Sequence, residues 1–458
     1  MIFPSPSRLA LGTSLGLLLV MAFSQFPAVY AAESELEKEF RSAQRGIQTQ
    51  LKNKDRSQRL AAVKKLEEFP VVDAAKVLLA SGLRSGDDEV RRASYASLFK
   101  FKEDKAIGLF LALAVEKDLK RGVVDEGTCG AMGVLLASTN KELEPESDQL
   151  LTQAASIVAN SSGLMLLVTV ADELGGEATP ESLKALLKLS KLPLFAKNFA
   201  YRRAVTQGLM KVRQEDAVTA LVEILTLAQG EVRSDILRYL ATISGQQIGP
   251  DPMLWAAWWK ANKAKFKFPG PAKPLLAARG KAPPQGGSYY GLPLANRIVF
   301  VMDTSASMRG TRIEAAKREL IRAISELPET TEFAVLVFNN RVTAWQEKLV
   351  PATSENRELA CRFVFAQELG PQTASYDALE AAMTFDAEAI YFLTDGAPFG
   401  GKVTQPKQII TVITRLNRLR RMTINSIGIG VGASGNVFDT FLKALADNNY
   451  GQYIRVDE

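Results

Sequence analysis

The chain contains no histidine, and only two cysteines occur among its 458 residues. Histidine is the commonest general base, so a Ser-His-Asp or Cys-His nucleophilic site cannot be built from this chain alone. The cysteines, Cys129 and Cys361, fall in different halves of the sequence, and no disulfide between them is expected. With 47% hydrophobic and 23% charged residues, the composition is that of a globular protein. These absences favour binding over catalysis and predict that hydrophobic cores hold the protein together.

The N-terminal segment 1–31 has the pattern of a secretory signal peptide. Arg8 carries a positive charge, an apolar run follows from Leu9 to about Phe26, and small residues lead to a cleavage position after Ala31. We therefore predict export to the periplasm or to the cell surface and extracellular space, with no transmembrane segment in the mature chain. An uncleaved membrane anchor is the alternative, although the apolar run is short and interrupted by serine and glycine.

Residues 32–268 have the pattern of an all-helical repeat domain, in which apolar residues recur at helical spacing. The segment RLAAVKKLEEFPVVDAAKVLL begins at Arg59, and a similar segment begins 32 positions later at Arg91. A third copy begins at Arg202. One helix pair cannot bury its apolar face alone, so repeated pairs predict a solenoid whose neighbours share a continuous core.

The end of this region and one repeat carry more specific signals. The phrase Asp-Glu-Val-Arg-Arg-Ala, from Asp88 to Ala93, resembles HEAT-type repeats. That resemblance implies a HEAT-like solenoid, and an armadillo-like or irregular helical array is the alternative. The three indoles of Trp255, Trp258 and Trp259 lie on one helix face, which predicts that they cap the last repeat. Carbohydrate stacking is the other interpretation of this face.

Residues 269–294 form a predicted linker, because proline and glycine are too dense there for regular structure. No acidic residue occurs between Asp251 and Asp303, whereas lysines and arginines are frequent in that interval. A solvated linker is the simplest interpretation. Binding of an anionic envelope polymer or of lipid headgroups is the alternative, and no nucleic-acid partner is expected.

Residues 295–458 alternate short apolar runs with amphipathic helical segments. The run RIVFVMD begins at Arg297, and later runs read FAVLVF, AIYFLT and INSIGIG, each separated from the next by a predicted helix. This alternation predicts a parallel sheet covered by helices on both faces, the α/β doubly wound, Rossmann-like fold. Ligands of such sheets bind at the loops that follow the carboxyl ends of the strands.

Side chains with oxygen atoms occupy those loops. Asp303, Ser305 and Ser307 follow the first strand, Thr373 precedes a helix, and Asp395 ends the strand AIYFLTD. Aspartate and hydroxyl oxygens are hard ligands that suit Mg²⁺, Mn²⁺ or Ca²⁺ better than Zn²⁺ or Cu²⁺. We predict that these residues form one divalent metal site, with Mg²⁺ as its first choice. Simple capping of helices and turns is the alternative.

This set of residues resembles the metal-ion-dependent adhesion site (MIDAS) of von Willebrand factor A domains. That site has a D-x-S-x-S element, a threonine and a T-D-G element in this order, and the resemblance covers about the last 160 residues. It implies that Ser305, Ser307 and Thr373 ligate the ion directly, and Asp303 and Asp395 directly or through waters. It also implies that a carboxylate of a partner completes the site. One departure is the loop that leads to Thr373, which reads G-P-Q-T where the family often has paired glycines.

The sequence thus favours an exported, non-enzymatic, metal-dependent binding, adhesion or scaffold protein whose partner presents an exposed Asp or Glu. An accessory subunit of an envelope enzyme or assembly complex is the alternative, as A domains also pair with ATPases in magnesium-chelatase-like systems. Hydrolysis with Ser305 or Ser307 as nucleophile is disfavoured, because no histidine or suitably placed lysine is present to act as base. The pairing of a helical array with an A domain resembles exported bacterial envelope proteins.

Overall fold

A computed structural model of the chain describes residues 34–156, 161–270, 287–430 and 435–457. The predicted signal peptide and residues 271–286 of the predicted linker lie outside these ranges. Within them, an all-helical region precedes an α/β region, as the sequence predicts. Among the described residues, no helix is both long and apolar enough to cross a membrane.

Acidic side chains cap the first turns of three helices near the start of the helical region. Asp55, Asp87 and Asp104 each accept a hydrogen bond from a backbone N–H of the first turn, which fixes where three of these helices start. The helices are α1 (Glu35–Leu51), α2 (Arg56–Leu66), α3 (Val72–Val77) with a π-helical turn (Leu78–Leu83), α4 (Asp88–Phe99), α5 (Lys105–Arg121), α6 (Glu126–Ala137), α7 (Glu144–Ser156), α8 (Ser161–Glu177), α9 (Pro180–Ser190), α10 (Pro193–Lys197), α11 (Phe199–Lys211), α12 (Glu215–Leu227), α13 (Gly230–Ser244) and α14 (Pro252–Asn262).

The sequence repeats coincide with pairs of helices. The copy that begins at Arg59 covers α2 and α3, the copy at Arg91 covers α4 and α5, and the copy at Arg202 covers α11 and α12. One helix of each pair lies in a row of helices that contact each other in turn. The order of this row is α2, α4, α6, α8, α11 and α13. The buried residues of these helices form one hydrophobic cluster. The all-helical prediction is confirmed, and the HEAT assignment stays a prediction.

The tryptophan face of α14 closes this cluster. Trp255 and Trp259 are buried, and Trp258 is half-buried. The indole of Trp255 donates to the carbonyl of Gly249 over 2.8 Å, and that of Trp259 donates to Thr219 Oγ1 over 3.0 Å. Both buried indole N–H groups are therefore satisfied, and the rings pack as core side chains.

Within the described part of the C-terminal region, a sheet of seven strands has the order β5-β4-β3-β7-β8-β9, with β6 beside β4. Strands β3, β4, β7, β8 and β9 are parallel, whereas β5 and β6 run antiparallel to β4. A separate hairpin precedes the sheet. The bounds are β1 (Ser288–Tyr289), β2 (Leu292–Pro293), β3 (Arg297–Asp303), β4 (Glu332–Phe338), β5 (Val342–Ala344), β6 (Val350–Pro351), β7 (Ala389–Thr394), β8 (Thr423–Ile429) and β9 (Tyr453–Val456).

Helices cover both faces of this sheet, as a doubly wound fold requires. Alternate residues of β3 point to opposite faces, so Phe300 belongs to one hydrophobic cluster and Val301 to another. The burial of both faces explains why the strand is a continuous apolar run. The first cluster includes residues of α15 (Thr311–Ser325) and α16 (Ser354–Phe365), and the second includes residues of α17 (Ser375–Ala382), α18 (Pro406–Arg420) and α19 (Val437–Asn448).

The hairpin formed by β1 and β2 packs onto the sheet region. Tyr289 is 1% exposed, and its ring lies edge-on to Phe300 at 5.3 Å and to Tyr391 at 6.2 Å between centroids. The last residues of the predicted linker are thus part of the first hydrophobic cluster of the sheet region. The two thiols lie apart, since Cys129 is buried in α6 and Cys361 is partly buried in α16.

The helical region contacts the sheet region at the edge where the parallel strands begin. Arg203 of α11 is fully buried, and it donates to the carbonyl of Arg421 over 2.6 Å and to Thr423 Oγ1 over 2.9 Å. Its guanidinium also pairs with Asp235 of α13 at 2.7 Å. The hydroxyl of Thr423 donates to Glu231 over 2.7 Å. A buried polar network therefore joins the two regions.

A second contact joins α13 to the loop before β7. Glu388 Oε2 accepts a hydrogen bond from the backbone N–H of Glu231 over 3.1 Å. Gly230 lies so close to this carboxylate that a Cβ there would overlap Oε2. Burial is the main cause that raises the pKa of Glu388 to about 7, and the charge of Glu231 contributes to the rise. The hydrogen bond from the N–H of Glu231 and the charges of Arg202 and Arg203 lower the pKa by less.

Replacing Gly230 by alanine tests this close approach. Gly230 has φ +55°, and Gly245 has φ +68° but no atom within 4 Å of where its Cβ would stand, so Gly245→Ala is a matched control for backbone strain. We expect Gly245→Ala to lower the free energy of unfolding by about 1 kcal/mol. Gly230→Ala should cost at least about 2 kcal/mol, because it adds a collision with Glu388. Equal costs in urea denaturation would contradict the contact.

The buried carboxyl of Glu388 predicts a pH dependence of stability. Because its folded pKa of about 7 exceeds the ordinary value of 4.5, the folded state binds more protons than the unfolded state between these values. Stability therefore falls as the pH rises through this window, by up to about 3 kcal/mol. Glu388→Gln should remove this part of the fall in thermal melts from pH 5 to pH 8. An unchanged slope, as expected for the exposed control Glu358→Gln, would contradict the prediction.

Candidate metal site

The structure places the five predicted metal ligands at the edge of the sheet where the parallel strands end. Asp303 is the last residue of β3, and Ser305 and Ser307 lie in the turn that follows it. Asp395 comes directly after β7, the neighbour of β3 in the sheet. Thr373 lies just before α17. The topology therefore brings three separate loops to one edge, as a doubly wound sheet does.

Hydrogen bonds connect four of these residues. Asp303 Oδ1 accepts from the backbone N–H of Ser305 over 2.7 Å, and Asp303 Oδ2 accepts from the hydroxyl of Thr394 over 2.5 Å. The hydroxyls of Ser305 and Ser307 are 2.9 Å apart. Ser307 Oγ donates to Asp395 Oδ1 over 2.8 Å. Two carboxylates and two hydroxyls thus form one compact cluster of oxygen atoms.

The loop that carries Thr373 is fastened to the loop after β3. The backbone N–H of Gly370 donates to the carbonyl of Thr304 over 2.8 Å, and Asn339 Nδ2 donates to Thr304 Oγ1 over 3.1 Å. The carbonyl of Asn339 accepts from the N–H of Ala374 over 2.8 Å. Thr373 is 6% exposed, and its hydroxyl makes no hydrogen bond to any residue that the structure describes. The hydroxyl is therefore available as a ligand.

Gly370 is the glycine of the G-P-Q-T element. A Cβ at this position would overlap the side chain of Asn339, so the two loops approach closely only because this residue is glycine. The single glycine thus lets the loop of Thr373 pack against both the loop after β4 and the loop after β3. The departure from paired glycines does not open the site.

The electrostatics of the cluster fit a bound cation. Asp303 is fully buried, and this burial raises its pKa to about 7, although hydrogen bonds from Thr394 and Ser305 lower it. The charge of Asp395 makes a smaller contribution to this rise. A guanidinium nitrogen of Arg312 lies 3.1 Å from Asp395 Oδ2. Because buried carboxylates are costly without positive charge, this oxygen-only cluster suits a hard divalent cation.

Three neighbours of the cluster were not among the predicted ligands. Thr394 orients Asp303, and its position directly before Asp395 in the T-D-G element is the signal that marks it in the sequence. Arg312 lies in the first turn of α15, and only its nearness to the D-x-S-x-S element points to it. Nothing in the sequence marks Asn339, which reaches the site through its packing between two loops.

Residues 296–454 match the family model described as von Willebrand factor type A domain. Human inter-alpha-trypsin inhibitor heavy chain H4 is 28% identical over 248 residues, which cover 44% of this chain and 26% of that protein. Heavy chain H3 of Bos taurus is 28% identical over 187 residues, or 37% and 20% of the two chains. This chain therefore spans about a quarter or less of the length of these relatives.

Two solved structures show the same kind of local likeness. A von Willebrand factor type A protein from Catenulispora acidiphila is 21% identical with a TM-score of 0.32, and the match covers 36% of this chain and 40% of that one. Proximal thread matrix protein 1 of the mussel byssus, solved with a zinc-occupied MIDAS motif, is 20% identical with a TM-score of 0.27, covering 35% and 41%. Residues 296–454 of the present chain are a von Willebrand factor type A domain, joined to an all-helical N-terminal region.

Proposed function

We propose that this chain is a non-enzymatic binding protein whose A domain holds a divalent cation and binds an acidic side chain of a partner protein. Mg²⁺ is the preferred cation. The observation that carries the proposal is the cluster of carboxylate and hydroxyl oxygens from the loops after β3 and β7, against which the loop of Thr373 packs. The ligands are Asp303, Ser305, Ser307, Thr373 and Asp395.

The residue types assign different roles within this site. Ser305, Ser307 and Thr373 supply neutral oxygens, whereas Asp303 and Asp395 supply the negative charge, directly or through waters. Neutral ligands leave much of the charge of a bound cation uncompensated, so the cation supplies a positive centre for a carboxylate of the partner. Mn²⁺ or Ca²⁺ is compatible with the same oxygen ligands.

The chemistry of the site supports binding rather than hydrolysis. A serine nucleophile needs a general base, and the chain contains no histidine. The basic side chain beside the cluster is Arg312, whose guanidinium stays protonated and does not accept a proton. The hydroxyls of Ser305 and Ser307 instead hydrogen-bond to each other, and Ser307 donates to Asp395, as metal ligands held in place would.

The contact between the two regions supports a scaffold role for the helical region. The buried network around Arg203 holds the helices against the edge of the sheet opposite the metal site. The metal edge and the helical surface then move together, which suits a protein that bridges two partners. Export to the periplasm or cell surface is part of this proposal and rests on the pattern of residues 1–31. An accessory subunit of an envelope enzyme would instead co-purify with that enzyme in EDTA.

The substitution Thr373→Val separates metal binding from folding. Valine has nearly the shape of threonine, and the lost hydroxyl makes no hydrogen bond within the described residues, so the melting temperature should change little. Losing one oxygen ligand should weaken Mg²⁺ binding by at least about tenfold, or about 1.4 kcal/mol. Isothermal titration calorimetry of the full chain with Mg²⁺ and Mn²⁺ measures this loss.

The same titration with Asp303→Asn provides the stronger test. This variant should bind no Mg²⁺, yet it should melt no lower than the wild type in EDTA, since it removes a buried charge. Asp386→Asn, an exposed position before β7 at the other edge of the sheet, is the control and should bind normally. Undiminished Mg²⁺ binding by both Asp303→Asn and Thr373→Val would refute the site.

Arg312 should weaken the affinity of the site for cations. Its guanidinium pairs with Asp395 Oδ2, and it repels a divalent ion bound beside that carboxylate. Arg312→Gln should therefore bind Mg²⁺ several-fold more tightly in the same titration, with the largest gain at low ionic strength. Weaker binding would show instead that Arg312 is needed to orient Asp395.

A further inference from the structure

An exposed aromatic ring stands beside the proposed metal ligands. Phe399 is 68% exposed, although a phenylalanine side chain gains roughly 2 kcal/mol or more when it is buried. It lies in the loop after β7, the loop that also carries Asp395. Such a large apolar side chain at the edge of a binding site is a natural contact for a partner.

The backbone places Phe399 beside the site. Thr373 and Phe399 form an antiparallel bridge in which the N–H of Thr373 donates to the carbonyl of Phe399 over 2.8 Å, and the N–H of Phe399 donates back over 2.9 Å. Residues paired in this way place their side chains on the same side, with Cβ atoms about 5 Å apart. The side chain of Phe399 therefore starts on the same side of the bridge as the hydroxyl of Thr373.

The loop that presents Phe399 is held in place by its surroundings. Gly400 and Gly401 follow with φ +110° and +78°, and Cβ atoms there would lie 2.5 Å from Gln372 Oε1 and 2.7 Å from Asp377 Oδ2. The backbone N–H of Lys402 donates to Asp377 Oδ1 over 3.1 Å. The close approach to residues around Thr373 fixes the loop, so the exposure of the ring is a property of the folded site.

The charges of the site and the ring of Phe399 determine which side chains of a partner are attracted. The guanidinium of Arg312 and a cation held by the cluster both attract a carboxylate, and Phe399 attracts an apolar side chain. Adjacent residues of an extended chain are about 3.8 Å apart, and residues two positions apart are about 6.8 Å apart. The Cβ atoms of Thr373 and Phe399 are about 5 Å apart, a distance that lies between these two values. One extended segment can therefore place an acid at the metal site and an apolar side chain beside Phe399 when the two residues are within two positions of each other.

We propose that the site recognises an extended peptide segment in which an Asp or Glu lies within two positions of a large apolar side chain. The proposal rests on the proposed function, because the acidic side chain is the group that binds at the metal site. Phe399 determines specificity for the neighbouring side chain and takes no part in holding the metal.

A random heptapeptide library displayed on phage, selected on the immobilised full chain in Mg²⁺ and eluted with EDTA, tests this proposal. The wild type should enrich peptides that combine an acid with a large apolar residue one or two positions away. Phe399→Ser should still enrich acids but should lose the apolar preference. The control Leu227→Ser, which removes an exposed apolar residue of the helical region, should select the same peptides as the wild type.

Binding measurements separate this inference from the proposed function. For a selected peptide, Phe399→Ser should raise the Kd in fluorescence polarisation by at least about tenfold, while its Mg²⁺ affinity in calorimetry stays that of the wild type. Acidic peptides without apolar enrichment, or an apolar preference that survives in Phe399→Ser, would overturn the inference and leave the metal site standing. Failure of EDTA to release any peptide would overturn both.

Discussion

A carboxylate buried at the end of a central strand is the constraint on which the candidate site depends. Asp303 has no exposed surface. Because its two hydrogen bonds only partly offset the effect of burial on the carboxylate, its pKa is still raised to about 7. The groups that hydrogen-bond around it are neutral hydroxyls and a backbone N–H, and the guanidinium of Arg312 pairs with Asp395. A buried carboxylate in such surroundings is stabilised by a cation. The converging loops and the oxygen-only ligands follow from that requirement.

The two edges of the sheet have different roles. The loops after the strands carry the proposed metal ligands, whereas Glu388 and Thr423, at the starts of β7 and β8, contact the helical region. Burying the guanidinium of Arg203 costs desolvation energy, which is offset by Asp235, Glu231 and a backbone carbonyl. Because this interface occupies the edge where the strands begin, it leaves the edge with the proposed metal ligands uncovered. The fold thus combines a hydrogen-bonded junction of two regions with a proposed binding surface at the opposite edge.

The sequence predicted much of the fold because the strongest signals are local. Strand β3 reads as a continuous apolar run since both faces of the sheet are covered, and helix pairs repeat with recognisable spacing. The position of the site followed from the rule that loops after parallel strands meet at one edge. The contact between Arg203 and Thr423 joins residues far apart in the chain, and no local pattern encodes it. The exposure of Phe399 likewise depends on its pairing with Thr373.

The proposed function requires that the oxygen cluster at the end of β3 binds a divalent cation. Anomalous diffraction from a crystal of the full chain grown with Mn²⁺ would show this binding, because the manganese signal locates the ion without assumptions about its ligands. We predict one strong peak within about 2.3 Å of the Ser305, Ser307 and Thr373 oxygens. A clean map with no peak there, or with Mn²⁺ bound only elsewhere, would contradict the claim.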